Sequence, residues 1–190
     1  MSPALGPTMA PPTMRFVSPS NRSEYILRDV LAHAGVKHLV LRPSNYIGPG
    51  QSETFVVASF AAQIARIERG LAAASLDVGD LSAARDFFDV ADFTAACLRV
   101  IARIDALPDG AIFNVGSGVV TSVAEILDAL RTMTEATFTV RATPDRVRPQ
   151  GVRSEGCDPA AFAEATGWQP AVPLTRSLAV ILDEARARLD

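Results

Sequence analysis

The sequence contains few cysteines and histidines, which excludes several kinds of site. Its only cysteines, Cys97 and Cys157, lie far apart in unlike contexts, so neither a disulfide framework nor a cysteine-based metal site is expected. Its only histidines, His33 and His38, have no third or fourth partner at ligand spacing. We therefore predict no metal site, and we expect reduced thiols in a cytoplasmic protein.

A strong charge of one sign and long apolar runs are also missing. The net charge is −3, with acidic and basic residues interleaved, which favours neither a nucleic acid nor a membrane surface as partner. No window approaches the roughly 18 apolar residues that a membrane span requires. The Pro- and Ala-rich stretch Met1–Thr13 has no charged start and no long apolar run, so we expect it to be a flexible tail and not a signal peptide.

What is present is enough apolar sequence for one folded domain, since 48% of the 190 residues are hydrophobic. Residues 1–15 are predicted to be the flexible tail, and residues 16–190 a single α/β domain. Helical spacing begins at Ser23, with Ser20, Asn21 and Ser23 as candidate N-caps and Gly35 as the stop. The apolar positions of this helix are Ile26, Leu27, Val30, Leu31 and Ala34.

A short buried strand is predicted next, at His38–Leu41, and it ends at Arg42-Pro43. The polar, Gly- and Pro-rich Ser44–Thr54 is predicted to contain no regular structure, so it forms a loop beyond the strand's carboxyl end, where open α/β sheets bind ligands. Further helices are predicted at 55–70, from Asp89 or Asp92 to about 104, 121–133, 159–166 and 174–189. Further strands are predicted at 76–79, 111–115 and 137–141, and an extended segment at 87–90. Ser122 and Glu125 form a predicted capping box.

Four segments carry candidate binding chemistry, and each also has an ordinary structural explanation. Asn45 could offer a donor and an acceptor to a sugar, or simply lie in a Gly/Pro turn. Arg85 could bind a phosphate from a strand end, or pair with Asp86 at the surface. The segment 114–118 could be only a strand-to-helix turn. Arg148, held extended by the proline that follows it, could reach an anion or lie in a solvated basic loop.

The order and spacing of these segments together resemble the extended short-chain dehydrogenase/reductases that act on nucleotide sugars. The closest branch is that of the GDP-mannose 4,6-dehydratases and GDP-6-deoxy-mannose reductases. The resemblance implies the C-terminal, substrate-binding half of such a protein, with a partial Rossmann sheet and a small α/β lobe. The matching stretches are Arg42-Pro43-x-Asn45-x-x-Gly48-Pro49-Gly50-Gln51, Phe55-Val56-Val57, Phe60-x-x-Gln63-Ile64, Val78-Gly79-Asp80-Leu81, Arg85-Asp86-Phe87-x-Asp89-Val90-x-Asp92, Asn114-Val115-Gly116-Ser117-Gly118, Arg148-Pro149 and Thr166-Gly167-Trp168-x-Pro170.

The resemblance also implies roles for individual residues. Asn45 corresponds to the asparagine that contacts the sugar diphosphate, and Arg85 and Arg148 to the two arginines that bind the diphosphate from opposite sides. Gln51 and Gln63 are further implied substrate-binding residues. Pro43 and Ser44 are implied contacts to an NADP cofactor. One position departs from the dehydratase pattern, because Gly151 replaces an acidic residue suited to ribose hydroxyls, so base choice or affinity could differ.

Two features of the family's catalysis are absent from the sequence. No Gly-rich loop for a dinucleotide follows a strand, and the tyrosines, Tyr25 and Tyr46, lack a lysine four positions on. Alignment of the catalytic helix places either Ser20 and Glu24 or Phe16 and Ser20 at the Tyr and Lys positions. We therefore predict no catalytic residues, no tight NADP binding and no turnover by these residues alone.

Three readings of this absence stay open. The chain could be a half-subunit completed by a separate dinucleotide-binding chain, a non-catalytic nucleotide-sugar-binding or interaction module, or a remnant without function. The partial sheet is expected to expose an edge, so a homo-oligomer or a complementary chain is expected to cover it.

Overall fold

In the computed structural model, residues 20–143 and 154–190 are described, and the contacts divide the chain into two units, Met1–His38 and Leu39–Asp190. The described part of the first unit contains helix α1 (Ser20–His33). Gly35 ends it as predicted, at φ 65°, with the Val36 amide donating to the Leu31 carbonyl at 2.9 Å. The three predicted N-caps are wrong, because all of them lie within the helix. The predicted inner face is exposed, with Ile26, Leu27 and Val30 at 57–67% exposure.

The second unit alternates strands and helices, which confirms the predicted α/β class. Its strands are β1 (Val40–Pro43), β2 (Asn45–Ile47), β3 (Ser75–Val78), β4 (Ala84–Asp89), β5 (Ile112–Val115), β6 (Val120–Ser122), β7 (Thr139–Ala142) and β8 (Ser154–Glu155). Its helices are α2 (Val56–Glu68), α3 (Val90–Arg103), α4 (Val123–Arg131), α5 (Ala160–Thr166) and α6 (Leu174–Ala187), with a short 3-10 turn at Ile104–Ala106. None of the helices in the described ranges is long and apolar enough to cross a membrane.

Three small groups of strands make up the sheet structure. Strand β1 pairs with β5, and β3 pairs with β7, both in parallel. Strand β4 is the centre of the third group, parallel to β2 and β8 and antiparallel to β6. Among the described residues β1 pairs with β5 alone, so the other edge of β1 has no strand beside it in this part of the chain.

Two hydrophobic clusters form the core, and β4 contributes to both. The first cluster surrounds Phe87 and joins α2, α4 and α6 to β3. The second surrounds Phe88 and joins β5 and α3 to Phe162 and Trp168 near the C-terminus. Because successive side chains of a strand point to opposite faces, the neighbouring phenylalanines of β4 place this strand between the two clusters. Strand β4 is thereby held by packing on both faces.

The local signals in the sequence set most element boundaries correctly. Ser122 and Glu125 form the predicted capping box at the start of α4, with the Glu125 amide 3.1 Å from the Ser122 hydroxyl. Of the two predicted caps for α3, it is Asp89 that accepts from the Ala91 amide, at 2.7 Å. The prediction that Ser44–Thr54 has no regular structure is wrong at its start, because Asn45–Ile47 pairs with Phe87–Asp89 as strand β2.

An ion-pair network ties α2 to α6 on the side of the first cluster. Arg186 donates to both carboxylate oxygens of Glu68, at 2.9 and 2.7 Å, and to the Met133 carbonyl at 2.9 Å. The Thr134 hydroxyl donates to the same carboxylate at 2.6 Å. These hydrogen bonds, that of Arg186 above all, hold the pKa of Glu68 below its ordinary value. The network fixes the helices that cover one face of β4.

Candidate functional site

Ser44 is the point at which the chain leaves one pair of strands for another. Its backbone amide donates to the Val115 carbonyl at the end of β5, at 2.8 Å. Its hydroxyl donates to the Asp86 carbonyl on β4, at 2.5 Å. The adjacent Pro43 is the last residue of β1, opposite Val115 in the register. Both residues implied as cofactor contacts therefore lie where strands meet, and the Ser44 donors are used within the chain.

The register of β2 and β4 brings Asn45 and Arg85 to one face. Asn45 is opposite Phe87 in this parallel pair, and Arg85 is two residues before Phe87 on the same strand. Side chains two residues apart on a strand share a face. Asn45 is exposed and Arg85 is half-buried. The two side chains therefore share one face of the paired strands, on either side of the buried Phe87.

Arg85 pairs with Glu155 and not with the neighbouring Asp86. Its Nε lies 3.4 Å from a carboxylate oxygen of Glu155, and its Nη1 donates to the Ala84 carbonyl at 2.7 Å. The pairing of β4 with β8 sets Arg85 directly opposite Glu155. The sequence pattern did not indicate Glu155, because the contact depends on strand pairing between distant segments.

Asp86 lies on the opposite face of β4, where it is completely buried. One carboxylate oxygen accepts from the Ser117 amide at 3.0 Å and from its hydroxyl at 2.5 Å, and the other accepts from the Gly118 amide at 2.9 Å. Successive backbone amides that converge in this way form a site for an anion. Here the anion is the chain's own carboxylate, and the segment leads from β5 into β6 and not directly into a helix as predicted.

Gly116 and Cys157 pack against this carboxylate. A Cβ atom on Gly116 would lie 2.5 Å from an Asp86 oxygen and 2.9 Å from the Cys157 Cβ, which explains why glycine occupies the position. Burial, reinforced by the charges of Asp86 and Asp158, raises the pKa of the Cys157 thiol to about 12. The thiol therefore stays protonated at neutral pH and is a poor nucleophile.

The other two aspartates of the Arg85–Asp92 motif also hold the fold together. Asp89 caps α3 with one oxygen and accepts from the Ser177 hydroxyl at 2.5 Å with the other. Asp92, which is 5% exposed, accepts from the amides of Ala171 and Val172 at 3.0 Å each. Within this motif, only Arg85 lies on the same side of the strand as Asn45 and carries a positive charge.

The two implied glutamines make contacts within the chain. Gln63 binds the Asp77 backbone with both halves of its amide, at 2.8 and 3.2 Å, so its donor and acceptor are already used. Gln51 donates to the Tyr46 carbonyl at 2.9 Å. The buried Oε1 atom of Gln51 has no hydrogen-bond partner within residues 20–143 and 154–190. The role of either residue toward a substrate stays a prediction.

The glycines of the same loop have reasons within the fold. A Cβ atom on Gly48 would overlap the Val90 side chain, and Gly50 has a φ of 86°. The close approach of Val90 explains the glycine at position 48, and the positive φ explains the glycine at position 50, in both cases without a ligand. Arg148 and Gly151 lie outside the described residues. The described ranges contain no group of three or more side chains suited to hold a metal ion.

Comparison with known proteins gives one family and several relatives. Residues 21–180 match the family model described as GDP-mannose 4,6 dehydratase. A GDP-6-deoxy-D-mannose reductase of Pseudomonas aeruginosa is 38% identical over 155 residues, which cover 82% of this chain and 50% of the relative. The chain thus spans about half the length of the curated relative that it matches.

Solved structures with the same fold agree with this assignment. The structure of RMD from Pseudomonas aeruginosa complexed with NADPH superposes with a TM-score of 0.80 at 35% identity, covering 87% of this chain and 54% of that one. A UDP-glucose 4-epimerase of Thermotoga maritima with UDP-glucose superposes with a TM-score of 0.76 at 27% identity, covering 90% and 52%. The chain is therefore similar to one half of each of these proteins.

Proposed function

Because the chain belongs to the GDP-mannose 4,6-dehydratase family, we propose that it binds a nucleoside diphosphate sugar, with Asn45 and Arg85 on the diphosphate. The observation that carries the proposal is the shared face of these two side chains on adjacent strands. A guanidinium offers five N–H donors in a planar fork that suits phosphate oxygens. The asparagine amide adds a donor and an acceptor for the same group or for a sugar hydroxyl.

A second arginine completes the proposed site. By its place in the family pattern, Arg148 binds the diphosphate from the side opposite Arg85. Two guanidinium groups would balance the two negative charges of a sugar diphosphate. Hydrogen bonds to charged groups contribute roughly 1.5–3 kcal/mol each, so the loss of either arginine should weaken binding measurably.

The ligands of the relatives support this class of substrate. One solved relative holds UDP-glucose and another holds NADPH. The family match points to a GDP-sugar, with NADP as the cofactor of the reaction. Gly151 replaces the acidic residue of the dehydratases that is suited to ribose hydroxyls, so the choice of base or the affinity for the nucleotide is expected to differ from theirs.

We further propose that these residues do not catalyse the family reaction by themselves. In the alignment Ser20 and Glu24, or Phe16 and Ser20, take the places of the tyrosine acid/base and its lysine, so neither a phenol nor an ammonium group is present there. Binding of the nucleotide sugar is thus the function that we assign to these residues.

The experiment that tests the proposal is isothermal titration calorimetry of the protein with GDP-mannose, UDP-glucose and NADPH. We expect saturable binding of a nucleotide sugar, no tight binding of NADPH, and no conversion of either nucleotide sugar when the oxidised cofactor NADP is added. If neither nucleotide sugar gives a heat of binding, the proposed binding role is wrong. Turnover of a nucleotide sugar would show that a catalytic group exists elsewhere in the chain.

A partner that covers α1 is a second part of the proposal. Tyr25, Ile26, Leu27 and Val30 are all more than half exposed on this helix, and exposed apolar patches of this kind mark interaction surfaces. Either a second copy or a complementary dinucleotide-binding chain would bury them. Light scattering at micromolar concentration should therefore show a mass above that of one chain, and a uniform monomer would argue against self-association.

A further inference from the structure

A carboxylate stands beside the proposed phosphate ligand Arg85. Glu155 comes from β8, whose pairing with β4 fixes it opposite Arg85, and its oxygen lies 3.4 Å from the Arg85 Nε. Both side chains are mostly covered, with 21% of Arg85 and 28% of Glu155 exposed. An anion that binds Arg85 on the Asn45 side will therefore meet a fixed negative charge a few ångströms away.

We infer that Glu155 is a specificity-determining residue, which makes the site favour a nucleoside diphosphate sugar over the free nucleoside diphosphate. The inference rests on the proposed function of Asn45 and Arg85. In a sugar diphosphate both phosphates are diesters, with one charge each. In the free diphosphate the terminal phosphate carries about one charge more, because its second pKa is near 6.

The size of this discrimination follows from simple electrostatics. One extra charge about 6 Å from the Glu155 carboxylate, in a partly solvated site with an effective dielectric constant of about 40–80, weakens binding by about three- to tenfold. The sugar diphosphate lacks this extra charge. Its two phosphate charges are repelled by Glu155 only as much as the corresponding charges of the free diphosphate are. Glu155 thereby selects against the free nucleoside diphosphate while it leaves the sugar nucleotide bound.

Glu155 and a ligand can contact Arg85 at the same time. The Glu155 oxygen lies on the Nε side of the guanidinium, and the fork carries five donors that point in different directions. The carboxylate need not leave when the diphosphate arrives. It acts through its charge, and so its effect should depend on the charge of the ligand.

Calorimetry with GDP-mannose and GDP on Glu155→Gln tests the inference. The quantity of interest is the ratio of the dissociation constant for GDP to that for GDP-mannose. We expect this ratio to fall by about three- to tenfold in Glu155→Gln relative to the unaltered protein. Glu155→Asp keeps the charge and should keep the ratio. Asp128→Asn removes the same charge from the exposed pair with Arg131 on α4 and should also leave the ratio unchanged.

The other outcomes separate this inference from its premise. An equal change in both dissociation constants, or no change in either, would overturn the role of Glu155 in specificity while nucleotide-sugar binding stands. Equal weakening with a lower melting temperature would show that Glu155 only anchors β8. Should Glu155→Gln not fold, Glu155→Thr serves as a second neutral variant, since a β-branched residue suits a strand. Absence of GDP-mannose binding by the unaltered protein would overturn both proposals.

Discussion

Replacing Asp86 by alanine is expected to lower the free energy of unfolding by about 3–5 kcal/mol. The carboxylate is completely buried and accepts three hydrogen bonds, from the Ser117 amide, the Ser117 hydroxyl and the Gly118 amide. Alanine would leave these donors buried without an acceptor, and each such group costs about 1–3 kcal/mol. It would also open a cavity beside Cys157. Urea denaturation followed by circular dichroism measures the change.

Two further variants test the explanation given for Asp86. Asp86→Asn keeps the volume and one acceptor oxygen, and its loss of stability should be smaller than that of alanine. Asp128→Ala, on the exposed side of α4 with its side chain 71% exposed, should change stability by no more than about 0.5 kcal/mol. If Asp86→Ala unfolded at nearly the same urea concentration as the unaltered protein, the buried anion site would not hold the turn at 116–118.

Replacing Arg85 by glutamine is expected to weaken GDP-mannose binding by about ten- to hundredfold, since a charge-assisted hydrogen bond contributes roughly 1.5–3 kcal/mol. Glutamine keeps much of the side-chain length and loses the charge and the planar fork. Arg85→Lys keeps the charge without the fork and should bind with intermediate affinity. Calorimetry measures the dissociation constants.

A charge-matched control separates a local effect from a change in net charge. Arg131→Gln removes the same charge from the exposed pair with Asp128, at the C-terminal end of α4. Its affinity for GDP-mannose should equal that of the unaltered protein. Equal weakening in Arg85→Gln and Arg131→Gln would mean that the nucleotide responds to the overall field of the protein and not to Arg85.

The sequence predicted the elements whose signals are local. Capping boxes, helix-ending glycines and apolar spacing act over a few residues, and they placed α2, α4 and the end of α1 correctly. Strand β2 was missed because three residues, Asn45–Ile47, are too short to show a period. That strand exists because it pairs with the distant β4, a contact that no local pattern records.

The sequence also identified only part of the candidate site. Asn45 and Arg85 were identified from the family pattern, but their common face depends on the register between β2 and β4. Glu155 was not identified, because it reaches Arg85 only through the pairing of β8 with β4. The sequence motif alone did not show whether the aspartates near Arg85 bind a ligand or hold the fold. Their hydrogen bonds to backbone amides show that Asp86 and Asp92 hold loops in place.

The most direct test of nucleotide-sugar binding at this face is a titration with GDP-mannose followed by nuclear magnetic resonance of the labelled protein. The side-chain amide of Asn45 and the Nε–H of Arg85 report on the two groups separately. We expect both signals to shift together and to saturate at one equivalent of ligand. Shifts confined to other parts of the chain, with these two signals unmoved at saturation, would contradict the account.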